Sequence, residues 1–225
     1  MAKRQTDNSG TTVAVAVLFG PDPSDGQLRL LLGSLGDSRA VLYRKNADSG
    51  EVYPVATNPV HKPSKPSEVK RIIAEGGQVS RIQGIDRVIK KVNKSTIGLS
   101  VSRAMGDLIM KEPRPVISSV PEFSQAIVDL DLDQFLVLGS DGVFDFISDI
   151  DLGLMVANAR GSLKGVQQVA DDIVALAKAR GSADDRTCVI VDFAWTSPNG
   201  SEHQEPPTQA LDPESDDFDE NIFNI

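Results

Sequence analysis

Short apolar runs punctuated by glycine and proline dominate this chain, and their spacing predicts a fold built mostly from strands. The central run, Phe135-Leu136-Val137-Leu138, has the pattern of a buried strand and delivers Asp141 onto a glycine turn at Gly139-Ser140-Asp141-Gly142. Upstream, strands are expected over residues 11–19, 28–35, 40–44 and 51–56. Gly36-Asp37-Ser38-Arg39 joins the second and third of these, so residues 28–44 read as a β-hairpin with an acid at its tip. Further strands are expected over residues 78–81, 87–92 and 126–129, and a last buried one over 187–194. Residues 99–107 carry no clear pattern. Residues 111–121, with Pro113, Pro115 and Pro121, read as an extended surface loop.

The helical signals are fewer. Pro66 suits a first helical position, Glu68 its opening turn, and Val69, Ile72 and Ile73 give an i, i+3, i+4 stripe that Gly76-Gly77 stops. Ser148 with Asp151 resembles a capping box for a helix reaching about residue 159. Ser162 opens a longer helix to residue 180, with Val166, Val169, Ala170, Ile173 and Ala177 on one stripe and Gly181 at its end. Strands in a run with helices clustered apart predict an α+β fold, antiparallel sheets with helices packed outside them. Residues 1–8 form a polar lead. From residue 197 onward Pro, Asp, Glu and Ser prevail, so residues 196–225 read as an acidic, disordered tail. Its end, Phe218-Asp219-Glu220-Asn221-Ile222-Phe223, reads as unstructured rather than as a docking motif.

Composition narrows the function classes. A chain of 225 residues with 40% hydrophobic content suits one domain, and with only 5% aromatics its core must be aliphatic. A net charge of −9 argues against nucleic acid, which requires a clustered basic face. One cysteine, Cys188, excludes an internal disulfide framework and fits a reducing compartment. No apolar run approaches the ~20 residues of a membrane span, and no signal-peptide core follows the lead. A soluble protein of the cytoplasm or nucleus is expected.

Several chemistries fall away. Six residues after Cys188 stands Ala194, not the arginine of a cysteine phosphatase loop, and Cys188 sits inside an apolar strand. His61 has no Gly-x-Ser-x-Gly elbow to partner it, and His203 lies in the tail. Phosphate-binding glycine loops are absent, and one cysteine with two histidines cannot build a structural zinc site. Oxygen chemistry remains. Asp37, Asp141, Asp145 and the Asp184-Asp185 pair each fall at a strand end or the turn beside it. Gathered together they would suit Mg²⁺ or Mn²⁺, while each taken singly is also explained as a turn residue.

Seven short motifs then occur in order: Ser9-Gly10-Thr11-Thr12, Gly36-Asp37-Ser38-Arg39-Ala40, His61-Lys62-Pro63, Glu75-Gly76-Gly77, Ser102-Arg103-Ala104-Met105-Gly106-Asp107, Ser140-Asp141-Gly142-Val143-Phe144-Asp145 and Gly181-Ser182-Ala183-Asp184-Asp185. Over residues 9–193 the chain resembles the metal-dependent serine/threonine protein phosphatases of the PP2C type. The resemblance implies a four-layer αββα sandwich with a Mg²⁺ or Mn²⁺ centre, phosphoprotein substrates, and hydrolysis by a metal-activated water. It implies metal ligation by Asp141 and Asp184, a weaker site at Asp37, Asp141 and Asp145, and structural roles for His61, Arg103 and Asp107. Asp185 stands where the family usually has asparagine. Residues 106–121 take the place of a variable flap beside the active site.

The same resemblance implies elements that this sequence lacks: a phosphate-binding arginine, a Glu-Asp pair and an Asp-Gly-His-Gly-Gly segment. No catalytic residue in the narrow sense is therefore identified. The expectation is the C-terminal two-thirds of a phosphatase domain over residues 9–195, holding one weakly bound cation, with little turnover by itself. Apolar edges should lie exposed unless a partner covers them. The alternative is a non-catalytic PP2C-like binding or regulatory protein.

Overall fold

The computed structural model describes residues 9–93, 95–160 and 165–193. The lead, the helix start at Ser162, the strand end at Ala194 and the tail lie outside the described residues. The order of elements is β1 (Gly10–Thr11), β2 (Val13–Phe19), β3 (Arg29–Leu35), β4 (Arg39–Lys45), β5 (Val52–Thr57), α1 (Pro66–Ala74), β6 (Gln78–Ile82), β7 (Ile85–Val92), β8 (Ser95–Leu99) and β9 (Met105–Gly106). There follow α2 (Leu108–Lys111), β10 (Glu122–Ile127), β11 (Asp133–Gly139), α3 (Asp141–Phe144), α4 (Asp149–Arg160), α5 (Val166–Ala179) and β12 (Cys188–Asp192). All strands of the named sheets pair antiparallel, and the class is α+β as expected.

Two sheets face each other. One has the order β12-β11-β4-β5 and the other β10-β3-β2. Leu30 and Leu32 of the second sheet interdigitate with Ala40, Leu42 and Leu136 of the first. The first sheet's other face, Val41, Tyr43, Phe135 and Val137, is covered by α4 and α5 through Leu152, Val156, Val169, Ile173 and Ala177. Tyr43 stacks on Phe135 at 4.9 Å, and Gly153 lets α4 approach, since a Cβ there would come within 2.7 Å of the Tyr43 ring. A third sheet, β6-β7-β8, packs with α1 and α2 around Ile72, Val88 and Met110.

Helix, sheet and sheet make three layers among the described residues. No helix among the described residues covers the outer face of β10-β3-β2. Val13, Val15, Val17, Leu31, Leu35 and Phe123 line an apolar groove of about 510 Å³ there, with Gly33 at its floor. Strands that are apolar on both faces are built to be covered on both. No described helix is long and apolar enough to cross a membrane.

Helix α4 begins as its capping pattern predicts: the Asp151 amide donates to Ser148 Oγ at 3.1 Å and the Leu152 amide to the Ser148 carbonyl at 3.0 Å. Ser148→Ala should therefore lower the unfolding free energy by about 1 kcal/mol, measured by urea denaturation.

Several expectations need correction. Strands β3 and β4 are not a hairpin. Each pairs elsewhere, and the corner between them carries the chain from one sheet to the other. Each is a central strand with a paired neighbour on both edges, which a two-stranded hairpin does not supply. Residues 111–121 are a surface loop only in part: residues 112–115 and 119–121 are exposed, but Val116 and Ile117 are buried beside Ile72 and Met110. Strand β8 was not anticipated, and β10 begins four residues earlier than predicted, at Glu122. Ile73 and Val166 point to solvent, whereas Glu68, expected only in the helix's opening turn, is buried. Finally, β12 is an edge strand with Val189 and Val191 exposed, so it is buried on one face only.

Candidate metal centre

Asp37 owes its place to a corner that only glycine can make. Gly36 has φ +110°, and a Cβ on it would meet Thr12 Cγ2 at 2.3 Å. His61 holds that corner. The Gly36 amide donates to His61 Nδ1 at 3.1 Å, and the His61 amide donates back to the Gly36 carbonyl at 2.8 Å. The Ser102 hydroxyl and amide in turn donate to the His61 carbonyl, at 2.9 and 3.0 Å. Burial, reinforced by Arg103, pushes the His61 pKa down, which favours the neutral ring that an accepting Nδ1 requires.

Asp141 and Asp145 come from the end of β11 and the helical turn α3. The Asp145 amide donates to the Asp141 carbonyl at 2.9 Å, and this i, i+4 spacing sets both carboxylates on one side of the turn. Ser140 draws in the third segment. Its hydroxyl donates to the Asp185 carbonyl at 3.1 Å and accepts from the Thr187 amide at 3.1 Å. Gly142 permits the approach, since a Cβ there would meet the Asp185 carbonyl oxygen at 2.3 Å. The turn before β12 is thereby pinned with Asp184 facing the site.

Asp37, Asp141, Asp145 and Asp184 line one cleft of about 510 Å³. Asp185 does not line it. Lys62, Asp86 and Arg87 do, and sequence reasoning missed all three. Lys62 had a signal, since it stands between two residues of a quoted motif; Asp86 and Arg87 had none. The Lys62 ammonium donates to Asp145 Oδ1 at 2.6 Å and also contacts Oδ2.

Electrostatics mark the cleft as overcharged. The carboxyl of Asp37, 6% exposed, is pushed up from 3.8 to about 6, first by burial and then by the charge of Asp141, with Lys62 opposing. Asp141 is raised as well, by burial and then by Asp184 and Asp145. Among the described residues, however, no three Asp, Glu, His or Cys side chains converge closely enough to hold a metal ion.

Residues 106–121 are not beside this cleft. Met110, Val116 and Ile117 pack under α1, and Gly106, Ser119 and Pro121 border the apolar groove on the far sheet face. The cleft wall comes instead from the β6–β7 turn at Gly84-Ile85-Asp86-Arg87. Arg103 and Asp107 are likewise outside the lining. Asp107 adopts φ +48° and is wedged against Gly10, where a Cβ would come within 1.9 Å of its carboxylate.

Comparison with known proteins agrees with this architecture. The family model described as Protein phosphatase 2C matches residues 1–186. A probable protein phosphatase 2C 59 of Oryza sativa subsp. japonica is 33% identical over 191 residues, covering 83% of this chain and 48% of the relative. Protein phosphatase ppm-1.A of Caenorhabditis elegans is 33% identical over 169 residues, covering 72% of this chain and 32% of that protein. The crystal structure of a serine-threonine phosphatase 2C from Toxoplasma gondii superposes with a TM-score of 0.69 at 23% identity, covering 83% and 59% of the two chains, a likeness of fold. The chain spans about half the length of the first curated relatives it matches. With a family model that spans most of its length and a sandwich shared with a solved member, this chain belongs to the protein phosphatase 2C family.

Proposed function

We propose that this chain carries the carboxylate floor of a protein serine/threonine phosphatase centre acting on phosphoserine and phosphothreonine. One observation carries the reading: aspartates from three distant segments face a single cleft, and burial and neighbouring aspartates push two of them, Asp37 and Asp141, upward in pKa. Such an arrangement is unfavourable unless positive charge is added, and all-oxygen donors suit a hard divalent cation, Mg²⁺ or Mn²⁺. The fit is to a partial shell. Asp141 and Asp184 would be the principal ligands, with Asp37 and Asp145 beside them, but no three converge on one point.

A cation bound there supplies Lewis acidity toward a water and neutralises phosphate oxygens. The chain's own contribution is placement. His61 and Ser140 lock the two corners, and Arg87 and Lys62 put positive charge on the wall that a phosphorylated side chain would meet. A two-metal centre needs ions about 3.5–4 Å apart, and these four acids alone give no bridging carboxylate or acid histidine. Low turnover by this chain alone follows. The outer face of β10-β3-β2 fits a covering segment or partner, which also suits a second reading as a non-catalytic binding module.

The test is Mn²⁺-dependent hydrolysis of a phosphothreonine peptide, with Asp141→Ala as control. Little or no turnover is expected from the chain by itself, together with Mn²⁺ binding that Asp141→Ala removes. Turnover that depends on Asp141 would overturn the low-activity reading. Mn²⁺ binding indifferent to Asp141→Ala would overturn the site.

A further inference from the structure

The acid cluster already contains a cation of the protein's own. Lys62 follows His61, whose ring and backbone grip the Gly36 corner, so the lysine stem starts from a fixed point beside Asp37. Its ammonium reaches across to the α3 turn and takes both oxygens of Asp145. It also faces Asp37 and Asp141 within electrostatic range. One ammonium is thus set against three of the four acids of the cleft.

We propose that Lys62 is a built-in counter-ion that occupies the weaker cation position and must leave Asp145 before a divalent ion is held by Asp37, Asp141 and Asp145. The inference rests on the cation reading of the cleft given above. It accounts for the placement of Asp145, whose carboxylate lines the cleft with Asp37, Asp141 and Asp184 and is turned to the lysine.

The chemistry is a competition between one positive charge and two. A hard divalent ion offers a carboxylate more charge at a shorter distance than an ammonium does, so it wins once its concentration compensates for its own dehydration. Lys62 and Asp145 side chains are 36% and 47% exposed, and solvent screens their attraction, which keeps the lysine displaceable. The same screening limits the effect of removing it. Loss of the ammonium should strengthen cation binding by roughly tenfold, not by orders of magnitude more. The lysine then tunes the site so that the weaker position fills only when divalent ions are abundant. Once displaced, its ammonium remains in the cleft, free to meet an anionic ligand.

Mn²⁺ titration calorimetry of the full chain, with circular dichroism as a check on folding, tests this in wild type, Lys62→Met, Lys62→Arg and Asp141→Ala. Lys62→Met should bind Mn²⁺ about tenfold tighter, Lys62→Arg about as wild type, and Asp141→Ala far more weakly. Equal affinity in wild type and Lys62→Met, with Asp141→Ala still weakened, overturns the counter-ion role and leaves the site standing. Failure of wild type and Lys62→Met alike to bind Mn²⁺ overturns both. A second readout guards against a purely structural effect. In protein labelled with ¹³C-lysine, the Lys62 ε-methylene resonance, assigned by its loss in Lys62→Met, should move as Mg²⁺ is added. A resonance that stays put while the cation binds overturns the displacement.

Discussion

Glu68→Ala is expected to destabilise the protein by about 3–5 kcal/mol, the largest single loss that this fold predicts. Glu68 is 2% exposed and receives two guanidinium groups. Arg103 donates to Oε1 through Nη2 at 2.6 Å and Nε at 3.1 Å, while Arg71 donates to Oε2 at 2.9 and 3.2 Å. Burial alone would raise the pKa of this carboxyl. The hydrogen bonds from Arg103, Arg71 and Ser102 outweigh it and hold the value at about 2, against an ordinary 4.5. That difference corresponds to about 3 kcal/mol, in line with the mutational figure. With the folded pKa depressed, the contribution is complete above pH 4.5 and is lost as pH falls toward 2. The arginines also serve as struts, since Arg71 donates to the Ser102 and Val116 carbonyls and Arg103 to that of Val120. Removing the acid leaves buried Arg103 with only the more exposed Glu122 as its counter-charge. Urea denaturation at pH 7 measures the loss, and Glu68→Gln, which keeps the shape without the charge, should fall between the two. A loss below about 1 kcal/mol for Glu68→Ala would show that Glu122 suffices for Arg103.

Asp37→Asn should act in the opposite direction, raising the stability of the cation-free protein by about 2–3 kcal/mol at neutral pH. Asp37 titrates at about 6 when folded, against an ordinary 3.8, so the folded state favours its protonated form. Its contribution is fully present below pH 3.8 and is lost as pH rises through 6. Above that, the ionised carboxylate carries a penalty of about 3 kcal/mol. The amide removes the charge and keeps the shape, so the gain should be near zero at pH 4, grow between pH 4 and 6, and level off above. Adding Mn²⁺ should stabilise wild type more than the variant, because a bound cation relieves the same penalty. Equal stability of the two proteins at pH 7 would mean that water reaches Asp37 and that the cleft is not overcharged. A site whose own acids destabilise its empty form is a common mark of function.

The prediction of Lys62 as counter-ion depends on a tertiary fact that no sequence pattern announces. His61 and Lys62 lie more than eighty positions from Asp145 along the chain, yet the Gly36 corner and the α3 turn meet in one cleft. Asp86 and Arg87 enter that cleft from the β6–β7 turn, and neither residue type nor spacing marks them.

What the sequence determined by itself was local and periodic. The apolar run ending at Gly139, the proline start and first-turn acid of α1, the Ser148 cap and the stripe Val169, Ala170, Ile173 and Ala177 all survive, because each depends on residues within a turn or two. The order of the seven motifs also lay in the sequence, and the family followed from it. Tertiary structure decided the partners. Residues 28–44 are two strands and a tight corner in any reading, but whether they pair with each other or with β2, β10, β11 and β5 depends on which faces find cover. Glu68 became a buried ionic centre only because Arg103, thirty-five residues on, folds back over α1. The four acids became one charged cleft only because Ser140, Gly142 and His61 clamp three strand ends together. The reason is the same in each case. Backbone periodicity is fixed by neighbours along the chain, whereas burial and charge are fixed by neighbours in space, and those exist only after the sheets have stacked.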